Sequence, residues 1–140
     1  MPFKFEKLEV WRLALDYIDV IYEFAALLPK SEEYNLKTQI CSAATSVALN
    51  IAEGSTDQTD AEQARFLGLA IRSLVETVAC QHIIRRRALV QDETLPNQIY
   101  RAAEILAAKL HSLRKTIAPD QRWLREISDD YSIDKARDDE

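Results

Sequence analysis

The sequence predicts an all-α fold, an up-down-up-down antiparallel four-helix bundle with helices at about 7–28, 35–53, 60–87 and 96–117. Three observations predict it. Only 2 Gly and 4 Pro occur in 140 residues, too few for an all-β chain that turns every ~8 to 12 residues. Four segments carry apolar residues at alternating spacings of three and four, the period of a helix with one buried face. The connections between them, about 5 to 9 residues, favour antiparallel neighbours. A chain of this length makes one bundle domain over residues 1–118, followed by a tail at 119–140.

In the first segment Leu8, Trp11, Leu15, Ile18, Tyr22 and Ala25 form an apolar stripe, opposite Glu9, Arg12, Asp16, Asp19 and Glu23. Pro29 cannot continue the helix, because it lacks an N–H and its ring clashes with the preceding turn. Trp11, Tyr17, Tyr22 and Phe24 ring much of this helix, more apolar surface than one narrow seam buries, which predicts a subunit interface.

The second segment has Leu36, Ile40, Ala43, Val47 and Ile51 as its stripe, flanked by Ser42, Ala44, Thr45, Ser46 and Ala48, small residues that let a partner helix approach closely. Gly54 then stands where a left-handed C-cap favours glycine. Thr59 and Glu62 make a capping box that starts the third helix. Leu67, Ile71, Leu74 and Val78 are its stripe, and Arg85, Arg86 and Arg87 suit its electronegative C-terminus. The fourth segment repeats Ile99, Ala103, Leu106, Leu110, Leu113 and Ile117 before Pro119 closes it.

Charge and composition narrow the function classes. The formal net charge is -5, and residues from Pro119 onward hold 8 acidic against 4 basic residues, so the tail is acidic and expected to be partly disordered. An acidic balance counts against a generic nucleic-acid binder, whose affinity comes largely from neutralising phosphates. The opening MPFKFEKLEVW has no apolar run of a secretory signal, and the fifteen uncharged residues between Lys37 and Glu53 are too few and too polar to span a bilayer. A cytoplasmic protein without a membrane partner is expected. Cys41 and Cys80 read as reduced core thiols. A hairpin centred near residue 57 sets Cys41 opposite about residue 73, and so ~10 Å from Cys80 along the axis, beyond disulfide reach.

No constellation of catalytic residues emerges, and no metal or other cofactor is expected. Neither His82 nor His111 has a Glu three residues before it, as an inward-facing di-metal site requires. Gly54 and Gly68 are isolated and cradle no phosphate. Ser112 and Lys115 match S-x-x-K without its companion motifs. One basic patch is assembled by the topology, Arg85, Arg86, Arg87 and Arg101 with Lys37 and Lys30 at one end of the bundle. The same side chains also serve as a helix cap and a solvated face balanced by Glu32, Glu33, Asp92 and Glu93. At the other end, Asn50 and Glu53 are expected to meet Arg65 in a polar network that fixes the hairpin or an oligomer contact.

LEVW at 8–11, LKTQICSAATSVALNIAEGS at 36–55 and ARFLGLAIRSLVET at 64–77 resemble the four-helix bundle proteins encoded within intervening sequences of bacterial 23S ribosomal RNA genes. The resemblance spans about residues 3–118. It implies a cytoplasmic homopentamer without an established molecular function. It also implies kinship to the accessory variability determinant of diversity-generating retroelements, a pentameric barrel that binds a reverse transcriptase and nucleic acid through a basic surface. Trp11, Asn50, Glu53, Arg65 and Glu76 carry over as structural or assembly positions. Cys41 and Ser42 stand where the family commonly has two arginines, and Ala48 where it often has proline, which weakens the implied nucleic-acid binding. The sequence therefore predicts a non-enzymatic homo-oligomeric interaction protein, with RNA or a nucleic-acid-processing protein as the alternative partner.

Overall fold

Four α-helices form along the predicted segments: α1 (Glu9–Ala25), α2 (Leu36–Gly54), α3 (Asp60–Arg86) and α4 (Thr94–Ile117). The structure is a computed structural model and describes residues 2–56 and 59–119. The acidic tail expected beyond Pro119 lies outside the described residues. α1 packs on α2 and α4, and α3 packs on the same two helices, so consecutive helices are neighbours and the bundle closes between the first and the last.

The core is built from Tyr17, Ile21 and Phe24 of α1, Ile40, Val47 and Ile51 of α2, Leu67, Leu74 and Ile84 of α3, and Ile99, Leu106 and Leu110 of α4. The stripe of α2 is the predicted one; those of α3 and α4 hold through Leu74 and Leu110, beyond which Thr77 and Arg114 are buried and Val78, Leu113 and Ile117 only partly so. In α1 the buried face is Val10, Ala14, Tyr17, Ile21 and Phe24, one residue out of step with the stripe read from sequence. Both sets have three-four spacing, and the bulk of Tyr17 and Phe24 turns theirs inward. Leu15 and Tyr22 are left 41% and 52% exposed.

Helix ends explain the other differences from expectation. The predicted start at residue 7 moves to Glu9 because Lys4–Lys7 forms a separate 3-10 turn and Leu8 is extended. α1 stops at Ala25, where Leu27 N bonds Phe24 O at 3.0 Å and Leu28 N bonds Ala25 O at 3.1 Å, tightening the turn ahead of Pro29. α4 begins at Thr94, two residues before the predicted start, since Asp92 accepts a 2.8 Å bond from Thr94 N and Pro96 is tolerated in the first turn. At α3, Thr59 Oγ1 accepts from Glu62 N at 3.2 Å as predicted, while the Glu62 carboxylate turns to Arg65 instead of returning to the cap.

Gly54 is not a left-handed cap. It is the last helical residue of α2, and none of the glycines among the described residues has positive φ. A Cβ there would lie 2.6 Å from Phe66 Cβ, so glycine is needed for the close approach of α2 and α3. That crossing, with Ser73 Oγ 3.0 Å from Ser46 Oγ, also corrects the hairpin register. Cys41 falls near the level of residues 78–79, not 73. The two thiols, both free, are kept apart by facing instead of by height: Cys80 is buried in the core and Cys41 borders a surface groove beside Tyr22.

α3 is long and apolar enough to cross a membrane by length and composition, with a mean hydropathy of 1.3 over an 18-residue window. Leu67, Ile71, Leu74 and Ile84, which contribute to that value, are core side chains of the bundle.

Candidate interaction surfaces

The outward face of α2 is the first candidate. Residues 38–52 carry no ionisable group except the Cys41 thiol, although Thr38, Gln39, Ser42 and Leu49 are exposed. A solvated helix face ordinarily carries charges. Here two of the polar side chains turn back onto their own helix: Thr45 Oγ1 donates to Cys41 O at 2.9 Å, and Asn50 Nδ2 donates to Ser46 O at 2.9 Å and Ser46 Oγ at 3.1 Å. These two give up little hydrogen bonding to water when another surface covers the face. A shallow groove of about 520 Å3 runs along it, with Leu49 and the Tyr22 ring, each 52% exposed, on its walls. Burial raises the Cys41 thiol, partly offset by Lys37, and burial together with Glu76 raises Cys80.

The assembly residues singled out in the sequence are distributed differently from expectation. Asn50 is satisfied within α2, and Glu53 is exposed on the groove rim. Arg65 reaches neither of them. It pairs with Glu62 at 3.4 Å and lies 4.9 Å over the Phe66 ring, because a partner one turn away on its own helix is nearer than one across the crossing. Trp11 is half-buried with its ring edge-on to Phe5 at 4.6 Å, and Tyr17 and Phe24 are core. Of the four aromatics expected to ring α1, Tyr22 alone presents a largely open face. Glu76 is exposed on α3.

The second candidate is the end of the bundle where α3 gives way to α4. Arg85, Arg86 and Arg87 are all exposed, as is Arg101, and none makes an ion pair among the described residues. Lys37 is half-buried in the first turn of α2. The chain turns here through Ala88 at φ 51, a left-handed C′ residue held by Ala88 N to Arg85 O at 3.0 Å and Leu89 N to Ile84 O at 3.1 Å. Beside this turn a cavity of about 390 Å3 opens, with Gln81 and Arg85 on its α3 wall.

Two buried polar side chains, one at the second surface and one near the C-terminus of α4, were missed in the sequence. Gln81 is 8% exposed and its Nε2 has no hydrogen-bond partner among the described residues. The signal was present, since the stripe Leu67, Ile71, Leu74, Val78 continues at 81, a core slot filled by an amide. Arg114 is 3% exposed and lies 3.2 Å from His111 Nδ1, whose proton affinity is lowered by burial and then by Arg114 and Lys115.

A family model for the 23S rRNA-intervening sequence protein matches residues 6–112, most of the bundle. The chain belongs to that family. A solved structure of a protein of unknown function from the S23 ribosomal protein family of Bacteroides thetaiotaomicron has the same fold, with a TM-score of 0.68 at 21% identity. The match covers 76% of this chain and 95% of that one. No curated protein matches the sequence significantly. The intervening-sequence family match thus takes in both the uncharged face of α2 and the arginine end of α3.

Proposed function

We propose that this intervening-sequence protein is a non-enzymatic, cytoplasmic, homo-oligomeric helical bundle that works as an interaction module, its copies joined through the α2 face and closing as a pentamer. The observation that carries this reading is the four-turn stretch of α2 without Asp, Glu, Lys or Arg, with Leu49 and Tyr22 half-exposed on one groove. Apolar surface left open beside internally satisfied polar groups is what a subunit contact uses. Burial raises the proton affinity of both thiols, which disfavours thiolate chemistry at neutral pH. Light scattering on the purified protein tests the assembly: five copies of 16.0 kDa give about 80 kDa. A monomer at micromolar concentration would overturn the reading.

The exposed arginines support a second reading, an accessory protein that contacts RNA through a basic patch repeated around the ring. Repetition raises a weak contact to a useful one by effective concentration. Fluorescence anisotropy with a structured RNA hairpin should show binding that weakens steeply with salt and is lost when Arg85, Arg86 and Arg87 are all replaced by Gln. Binding unchanged by that triple replacement would refute the patch.

A further inference from the structure

The cavity between α3 and α4 has the size of a ligand site, about 390 Å3 against a usual range of about 300 to 1,000 Å3. Its floor is apolar: Phe24 and Ile84 are each 1% exposed. On its α3 wall Gln81 keeps a buried amide donor with no acceptor among the described residues, an unfavourable state that an acceptor from outside relieves. On its α4 wall stand the Asn97 amide and the Tyr100 ring, which is 48% exposed. The rim carries two carboxylates, Asp92 and Glu93, against one guanidinium, Arg85. The Asp92 carboxylate is already engaged by Thr94 N, and Glu93 stands with Arg85, neither making an ion pair among the described residues.

A bare anion is poorly matched to such a rim, and a purely apolar ligand leaves Gln81 unmatched. A flat, neutral heterocycle bearing hydrogen-bond acceptors suits the amides, the apolar floor and the Tyr100 face together. An attached phosphate then finds Arg85 at the mouth, with Arg86 and Arg87 next in the chain. A peptide carbonyl also meets the Gln81 amide, but a neutral backbone makes no use of Arg85.

We infer that this cavity binds a nucleoside monophosphate unit, free or at the end of a single strand, with the base inside and the phosphate on Arg85. The inference deepens the RNA-contacting reading and shares with it the arginine contact alone.

The test is NMR titration of the full chain with adenosine and uridine monophosphates, with inorganic phosphate as control, and fluorescence anisotropy with a short single-stranded RNA. Gln81→Leu removes the unmatched donor, so it should keep or raise the unfolding temperature while weakening mononucleotide binding about tenfold, the scale of one lost hydrogen bond. Tyr100→Ala, an exposed position that spares the core, should weaken it as well. Arg85→Gln should weaken the mononucleotide too. A strand bound at least tenfold more tightly than the mononucleotide identifies a strand end as the source, and equal affinity identifies the free nucleotide. Phosphate alone reproducing the nucleotide shifts, or binding indifferent to both Gln81→Leu and Tyr100→Ala, overturns the inference. Hairpin binding lost with the three arginines but indifferent to Gln81 leaves the patch standing and removes the pocket.

Discussion

Tyr17 on α1 and Thr77 on α3 join across the diagonal of the bundle, with the phenol oxygen 2.6 Å from Thr77 Oγ1. Thr77 commits its one hydroxyl proton to Leu74 O, also at 2.6 Å, so Tyr17 is the donor and Thr77 the acceptor. This direction makes the two deletions unequal. Tyr17→Phe removes the donor and leaves Thr77 satisfied, for a cost of about 0.5 to 1.5 kcal/mol. Thr77→Val strands a buried phenol and should cost about 1 to 3 kcal/mol. Urea unfolding of the two variants decides it, and an equal or reversed order would refute the assigned direction.

The same phenol sets an alkaline limit. Burial pushes Tyr17 up to about 12 from 10.0. With the folded value above the unfolded one, the neutral phenol stabilises the fold fully below pH 10, and this contribution is lost as pH rises from about 10 to about 12. Thermal melts of the native protein should fall across that window more steeply than those of Tyr17→Phe. Parallel curves would show that Tyr17 is not the group responsible.

How much of this is legible from sequence depends on whether a feature is written along one helix or between two. The stripe of α2, and those of α3 and α4 as far as Leu74 and Leu110, lie within single segments and emerge from spacing alone. In α1 two stripes of equal period compete, and only the partners decide that Tyr17 and Phe24 face inward while Leu15 and Tyr22 do not. Gly54 marks a helix end in the sequence, but its reason belongs to Phe66 on another helix. The uncharged run of α2 is visible as a run. That Thr45 and Asn50 bond back onto the helix, and that Gln81 borders a cavity, requires three dimensions.

Gly54→Ala should destabilise by about 1 to 3 kcal/mol, the scale of overpacking at a contact that cannot yield. The obstacle is Phe66 Cβ at 2.6 Å, an atom fixed to the α3 backbone instead of a flexible side-chain tip. The double variant Gly54→Ala with Phe66→Ala keeps a Cβ at position 66 and should recover little. Calorimetric unfolding checks both, and an unchanged melting temperature for Gly54→Ala would show that the crossing is slack.

Ala88→Gly should act in the opposite sense. Ala88 holds φ 51 at the C′ position of α3, where a Cβ is strained and glycine is not. Relief of that strain exceeds the added freedom of the unfolded chain, for a net gain of about 0.5 to 1 kcal/mol. Ala88 also borders the cavity beside Arg85, so the substitution tests whether the turn must be rigid for binding. Denaturant midpoints read the stability, and a lower midpoint would mean that the left-handed turn is not strained.

Cys41 is placed to report assembly through its own reactivity. It borders the α2 groove between Tyr22 and Leu49, half-buried in the single chain, while Cys80 is closed into the core. A second copy on the α2 face shields Cys41 further and leaves Cys80 as it was. Leu49→Lys places a charge on that face and should dissociate the assembly without touching the core, since Leu49 is 52% exposed. In a Cys80→Ala background, Cys41 should then react with a thiol reagent several-fold faster in the Leu49→Lys protein than in its parent, at a pH held constant below the raised thiol value. Equal rates, with both proteins folded by circular dichroism, would remove the α2 face from the subunit contact and move the search to the exposed Val75 and Ile105 on α3 and α4.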